Sequence, residues 1–213
     1  MDRRAVICGL ASLAAGVPTL AHAQSLDDWR LFENRKAVRA WAWKRNPSIT
    51  VVAGENDFRI PQLRRAVDFW NDEFAKLLIS FRLGAVTHVT GTIPIGDIEA
   101  VRASPRRQDL PESIERVDGD VIVALSDGDF NSFAFRLPAA QKAMVAIRNY
   151  GSHMTARFAI THELGHVIGL GHNDDAGTLM YSAMPSYSDI GSLRLTDAER
   201  ATLLRMYPPR LAG

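Results

Sequence analysis

Half of the six histidines in this chain lie in one stretch of eleven residues, HELGHVIGLGH, which runs from His162 to His172. With residue frequencies taken from the chain itself, five fixed residues at this spacing arise by accident on the order of once in 10^5 such chains. A lone histidine is more often a buried polar residue that a neighbouring carbonyl satisfies. Three histidines at this spacing indicate a shared role, and that role constrains the local fold.

The first half of this stretch predicts an α-helix. His162 and His166 are four residues apart, which places them about 40° apart around a helix axis and one turn along it. Two imidazole rings can then bind one ion. The other faces of the helix are apolar and predict a position in the core, which would hold the rings rigidly; these residues are Ile160, Leu164, Val167 and Ile168.

Two glycines, Gly169 and Gly171, predict that the helix ends and the chain bends before His172. Glycine readily adopts the left-handed backbone geometry by which many helices end. A bend is needed because an unbroken helix would carry His172 about 15 Å beyond His162, too far for one coordination sphere. We therefore expect all three histidines around one metal ion.

The chemistry of this set favours zinc. Three neutral imidazoles without a thiolate form a borderline site with an open fourth position for water, as in catalytic zinc sites. Glu163 directly follows the first histidine and is suited to take a proton from that water and pass it to a leaving amine. Because histidine binds metal only when it is neutral, activity should fall in acid.

Residues 1–23 predict a signal peptide, because a basic start and an apolar middle precede an Ala-x-Ala ending before Gln24. An uncleaved membrane anchor is the alternative, although the apolar run is short and holds glycine and proline. We therefore expect a secreted or periplasmic protein without a stable membrane anchor. The adjacent Arg3 and Arg4 leave the twin-arginine route open beside the general secretory route.

Removal of this segment would take away Cys8, the only cysteine, so no thiol could serve as ligand or nucleophile. The full chain has a formal net charge of +1, and loss of Arg3, Arg4 and Asp2 leaves none. This balance indicates neither a nucleic acid nor an anionic membrane as partner. The sequence leaves the oligomeric state open.

Residues 24–47 are interpreted as an N-terminal extension, which either packs on the main domain or covers its active site as an inhibitory pro-segment. Residues 48–213 predict one domain. Its predicted strands are Ser48–Gly54, Asp120–Asp127, Ala143–Gly151 and one or two strands between Phe81 and Ile95. Its predicted helices are Pro61–Ile79, Asp97–Ala103 and a last helix that begins with a capping box formed by Thr196 and Glu199. Residues 104–119 are expected to form an exposed charged loop.

The pattern HExxHxxGxxH resembles the zinc-binding signature of the metzincin metallopeptidases. These enzymes also have a methionine turn, and Met180 in GTLMYSAM follows His172 by eight residues, in wording closest to the matrixin branch. Met184 is the other candidate, at a spacing that fits less well. The resemblance implies one catalytic zinc held by the three histidines, Glu163 as general base and Met180 beneath the metal. Structural calcium is possible in such a protein, but no residue pattern indicates it.

By the same resemblance, the fold is expected to be α+β: a twisted mixed sheet with a long backing helix, an active-site helix and a small C-terminal subdomain that ends in a helix. An edge strand in such enzymes aligns the substrate backbone, and Val121–Leu125 or Met144–Ile147 is expected to include it.

The chain also departs from the matrixin pattern. A mature chain without cysteine cannot have the cysteine switch of a matrixin propeptide, and the histidine and aspartate pattern of a second, structural zinc site is absent from the sequence. Ser182 stands where matrixins have proline after the methionine and tyrosine. Tyr181 lies one residue after Met180, whereas astacins and serralysins place a zinc-binding tyrosine two residues beyond.

Three functions are compatible with these residues. The leading one is an exported zinc endopeptidase that acts on a protein or peptide substrate. A second has the two helix histidines joined by Glu199 in a thermolysin-like site, which the capping role of Glu199 and the presence of His172 disfavour. The third is a metal-binding or partner-binding module without hydrolytic activity, which the presence of Glu163 disfavours.

Overall fold

The computed structural model of this chain describes residues 42–104, 109–137, 140–182 and 194–209. The predicted signal peptide, residues 24–41 of the extension and Met184 lie outside the described residues. In the described part of the chain, no helix is both long and apolar enough to span a bilayer.

Five strands form one mixed sheet. They are β1 (Ile49–Ala53), β2 (Val86–Thr90), β3 (Val121–Ser126), β4 (Phe133–Leu137) and β5 (Lys142–Arg148), in the order β2-β1-β3-β5-β4. Neighbouring strands are parallel except β4, which runs antiparallel to β5. Both β1 and β3 are covered on two faces, which explains why each consists of a nearly continuous apolar run.

The helices are α1 (Arg59–Lys76), α2 (Ile95–Ala103), α3 (Glu112–Glu115), α4 (His153–Val167) and α5 (Asp197–Met206). Side chains that alternate along the strands build two cores. Val51 and Val123 face the core shared with α1, α4 and α5, whereas Val52 and Ile122 face the core shared with α2 and α3. Trp70 and Phe74 of α1 are fully buried in the first core, as their helical spacing predicts.

These observations confirm the predicted α+β class with its mixed sheet, long backing helix and active-site helix. The capping box of α5 is also present: Thr196 accepts a hydrogen bond from the main chain of Glu199, and Glu199 accepts one from the main chain of Thr196. Within the charged loop, Leu110 and Ile114 are buried and α3 forms, so the expectation of a wholly exposed loop is wrong.

The expected position of the substrate-aligning edge strand is also wrong. Val121–Leu125 lies in β3 and Met144–Ile147 in β5, and each of these strands has a neighbour on both sides. The edge strand beside α4 is β4, which the sequence analysis did not predict. Three of its five residues are partly exposed and one of the two buried residues is Arg136, so the apolar pattern that reveals a buried strand is weak there.

Candidate metal centre

Helix α4 carries the first two histidines and ends at a tight turn. Gly169 has a φ of 102°, and the main-chain N–H groups of Gly169 and Leu170 donate to the carbonyls of His166 and Gly165. This is the Schellman motif, which closes a helix and reverses the chain. The turn brings His172 back toward the helix, as predicted, but in the described chain Gly169 has the left-handed backbone and Gly171 does not.

The three histidines converge as predicted. The Nε2 atom of His172 lies 3.1 Å from Nε2 of His162 and 3.2 Å from Nε2 of His166. The opposite ring nitrogens face main-chain carbonyls: His162 Nδ1 lies 2.7 Å from the oxygen of Leu179, and His166 Nδ1 lies 2.8 Å from that of Leu170. A carbonyl oxygen can only accept a hydrogen bond, so Nδ1 carries the hydrogen in both His162 and His166. The Nε2 atom of each of these two rings is left with its lone pair.

The donor set fits zinc. Ligands at the usual Zn–N distance of about 2.05 Å in a tetrahedral arrangement lie roughly 3.3 Å apart, close to the observed separations. Burial lowers the pKa of His166 well below its usual range, and the neighbouring His162 and His172 lower it further, so this ring stays neutral. A neutral His166 ring with a bare Nε2 atom, at this spacing from the two neighbouring histidines, is suited to bind one divalent ion with them.

Glu163 lies on the same helix, is 7% exposed and lines the same cleft as the histidines. Burial raises the pKa of its carboxyl to about 8, and a hydrogen bond with the main chain of Ala134 in β4 opposes part of this rise. A bound cation beside this group would favour its ionised form. The carboxyl therefore contacts the edge strand and lines the cleft that the three histidines also line.

Met180 is fully buried and its side chain packs against Gly165 of α4. A Cβ atom added to Gly165 would collide with the Met180 side chain, so the absence of a side chain at Gly165 allows this close packing. The preceding carbonyl of Leu179 orients His162, and the Met180 carbonyl accepts from the main chain of Asn173. The turn around Met180 thus supports two of the three histidine positions.

Glu199 lies in a different set of contacts. Its Oε1 accepts from the Asn173 side chain at 2.6 Å, and its Oε2 accepts from the main chain of Thr196 at 2.7 Å. Among the described residues, the group of three or more potential metal ligands is made of His162, His166 and His172, without Glu199. This geometry disfavours the thermolysin-like arrangement.

Two aromatic side chains that the sequence analysis did not single out hold the end of α4. Trp43 Nε1 donates to the carbonyl of Val167 at 2.9 Å, and the Tyr207 hydroxyl donates to that of Ile168 at 3.0 Å. Burial raises the pKa of Tyr207 to about 12, which keeps this donor protonated. The carbonyls at a helix end need such partners, but only the general tendency of buried Trp and Tyr to find acceptors could have suggested these two.

A cleft of about 480 Å³ opens beside the histidines. Its walls are the start of β4, the end of β5, the middle and last turn of α4, His172 and the residues after Met180; His153, at the first position of α4, does not line it. A mixed five-stranded sheet, a helix with two histidines and a bent exit that returns a third define a peptidase domain of the metzincin type.

The family follows from the comparison of the sequence with family models. A model described as Matrixin matches residues 21–208, and the chain belongs to this family. The predicted resemblance to the matrixin branch is thereby confirmed. A search of curated proteins found no match.

The comparison with solved structures found a similar fold in a metalloproteinase, and two further structures align with lower TM-scores. Metalloproteinase-II from Bacteroides fragilis aligns with a TM-score of 0.51 at 14% identity, over 78% of this chain and 54% of that one. This chain therefore spans about half the length of that relative. Archaemetzincin from Methanopyrus kandleri has a TM-score of 0.44 at 18% identity, over 76% and 95% of the two chains. A zinc-dependent peptidase from Methanocorpusculum labreanum has a TM-score of 0.36 at 20% identity, over 73% and 99%.

Proposed function

We propose that this protein is an exported zinc endopeptidase that hydrolyses peptide bonds. The observation that carries this proposal is the convergence of three histidine Nε2 atoms at one end of the cleft that Glu163 also lines. A metal-binding module without catalysis has no need for a buried carboxyl at this position. Family membership supports the same activity.

In this proposal His162, His166 and His172 hold one zinc ion. Zinc, when bound, supplies Lewis acidity that acidifies water and polarises a carbonyl oxygen. Glu163 acts as general base, accepts the proton of the attacking water on its carboxylate and then donates it to the leaving amine. Burial of Glu163 supports this role because it limits competing solvent around the transferred proton.

The free edge of β4 is proposed to hold the substrate backbone. Ala143 donates its N–H toward β3, so Arg136, which lies opposite Ala143, directs its main-chain N–H and C=O away from the sheet. Ala134 lies two residues before Arg136 and also directs its main-chain N–H and C=O away from the sheet, in agreement with its hydrogen bond to Glu163. An extended peptide can add to such an edge as a further strand. The edge continues on both sides of Ala134, which suits cleavage within a chain.

Export is proposed from residues 1–23 alone, with cleavage before Gln24 and a secreted or periplasmic location. Residues 24–47 are proposed to remain as an extension of the domain at 48–213. Of this extension, Trp43 packs against the end of α4 and Arg45 contacts Asp120. These contacts support packing on the domain for residues 42–47.

The test uses the full chain expressed in an exporting host. N-terminal sequencing of the exported protein is expected to start at Gln24. The zinc-loaded protein should cleave a mixed peptide library, a chelator should abolish cleavage, and added zinc should restore it. Glu163→Ala should keep one bound zinc ion and lower the turnover rate by roughly 10²–10⁴-fold, because the proton acceptor is lost.

Glu112→Ala serves as control, because it removes an exposed carboxylate of helix α3 and should leave turnover unchanged. If the zinc-loaded wild type shows no chelator-sensitive cleavage, the protein is a metal-binding or partner-binding module instead. If Glu163→Ala cleaves as fast as the wild type, the proposed role of Glu163 is wrong.

A further inference from the structure

One wall of the cleft carries a positive charge that the proposed reaction does not use. Arg148 is the last residue of β5 and lines the cleft together with the histidines. The register that pairs Phe133 with Ala146 places Arg148 beside the residues just before β4. Its charge therefore lies at the β4 N-terminal end of the cleft.

The contacts of Arg148 leave most of its charge available. Its carboxylate partner is Asp129, which is fully exposed and 3.8 Å away, so solvent and salt screen this pair. Arg148 Nε is buried and has no hydrogen-bond partner in the described part of the chain. Among the described residues that line the cleft, the one with a carboxyl is Glu163, which belongs to the candidate metal centre.

A structural arginine in the same protein looks different. Arg59 is 3% exposed, forms ion pairs with Asp57 and Asp127, and donates to the carbonyls of Ser126 and Ile147. Its guanidinium is thus enclosed by acceptors. Arg148 is 37% exposed on the cleft wall and has no such enclosure.

The position of Arg148 is nevertheless well defined. Its guanidinium lies over the ring of Tyr150, with 4.9 Å from Cζ to the ring centroid. Ser132 Oγ accepts from the main-chain N–H of Arg148 at 3.1 Å and from the Tyr150 hydroxyl at 2.9 Å. These contacts join the end of β5 to the start of β4. A fork of N–H donors held in this way is suited to a carboxylate.

We propose that Arg148 directs this site to peptides that carry a carboxylate on one side of the scissile bond, the side that lies against the N-terminal end of β4. This inference rests on the proposed peptidase function. The carboxylate is either an Asp or Glu side chain or the free C-terminus of the substrate. A substrate residue at the other end of β4, beside Arg136, does not reach Arg148.

The test compares peptides that differ by Glu, Gln or Lys at each position on both sides of one cleaved bond. In the wild type, Glu should raise kcat/KM over Gln by roughly 10- to 100-fold at positions on one side, the size expected for a hydrogen bond to a charged group. Lys should be disfavoured there. Arg148→Met should remove the difference between Glu and Gln while cleavage of the Gln peptide continues.

The control variant is Arg116→Met, which removes the same charge from an exposed position outside the cleft and should keep the preference for Glu. Arg148→Lys keeps the charge without the fork of N–H donors and should keep part of the preference for Glu. Raising the salt concentration should weaken the preference in the wild type, which tests the charge even if Arg148→Met does not fold.

The two sources of the carboxylate are separated with amidated peptides. If an internal Glu is bound, C-terminal amidation leaves the preference for Glu intact. If the free C-terminus is bound, amidation lowers kcat/KM of the wild type for the Glu and Gln peptides alike and has no such effect on Arg148→Met. Either result supports a carboxylate site. The assignment would be overturned by equal cleavage of Glu and Gln peptides by the wild type together with no effect of amidation, or by a preference for a carboxylate that persists in Arg148→Met. Absence of chelator-sensitive cleavage of every peptide, including the Gln series, would overturn the proposed function itself and the role of Arg148 with it.

Discussion

Main-chain carbonyl groups orient two of the three histidines of the candidate metal centre. Leu179 and Leu170 accept from the Nδ1–H groups of His162 and His166, which directs both Nε2 atoms to a common point. In many metal sites a carboxylate has this role, and its loss weakens metal binding 10- to 100-fold. Here the backbone itself does so, and a side-chain substitution at Leu179 or Leu170 would leave the carbonyl in place.

A comparison of two variants tests which residue is the third ligand. His172→Ala should weaken zinc binding by more than roughly 100-fold, because a direct ligand is lost. Glu199→Ala should have a smaller effect on zinc, since its carboxylate contacts Asn173 and Thr196, and should mainly destabilise the start of α5. Competition with a chelator of known affinity measures both. The opposite order of effects would support Glu199 as the ligand in place of His172.

At the scale of elements, the end of α4 determines how the three histidines of the candidate metal centre come together. The helix presents His162 and His166, and the turn after it must reverse the chain within a few residues to return His172. Gly169 makes this possible by its φ of 102°, and a Cβ atom there would lie 2.9 Å from Sδ of Met206 in α5. Helix α5 therefore packs directly on the turn that positions the third histidine.

Replacement of Gly169 by alanine should lower the free energy of unfolding by roughly 1–3 kcal/mol, because a side chain is strained at this backbone angle and meets Met206. Urea unfolding of the wild type and the variant measures this difference. Gly54→Ala is the matched control, since nothing lies within 4 Å of an added Cβ and its φ is not in the left-handed range. Equal losses in the two variants would contradict the strain proposed at Gly169.

At the scale of the whole molecule, Asp120 ties the segment before β1 to the central strand β3. Its carboxylate accepts from Arg45 and from both the main chain and hydroxyl of Ser48. Burial by itself raises the pKa of Asp120, but these hydrogen bonds outweigh it, so the pKa lies below its usual value of 3.8. The ionised form is thus bound more favourably in the folded protein than in the unfolded chain.

This difference predicts a pH dependence. The contribution of Asp120 is fully present above about pH 3.8 and is lost as the pH falls through the lower folded-state pKa. Asp120→Asn should therefore be less stable than the wild type near pH 6, and the gap should shrink toward about pH 2. Urea unfolding of both proteins in the presence of a chelator, at pH values from about 2 to 6, measures the difference in stability. The exposed Asp118→Asn is the control, and a gap of constant size would contradict the prediction.

The sequence by itself determined the candidate metal centre of this protein. The four-residue spacing of His162 and His166 and the glycine at the helix end are local features that helical geometry relates, whereas Met180 was predicted from the resemblance to the matrixins. The buried strands β1 and β3 and the backing helix α1 could be predicted for the same reason, because burial leaves a regular apolar pattern within each segment.

Only the tertiary structure decided which strand forms the edge of the sheet and what surrounds the metal centre. Strand β4, the contact between Trp43 and the end of α4, and the place of Arg148 in the cleft depend on pairing between residues that are far apart in the chain. Such pairing leaves no periodic trace in either segment. An arginine that ends a strand looks the same in the sequence whether it faces solvent or lines a cleft, because its surroundings come from other elements.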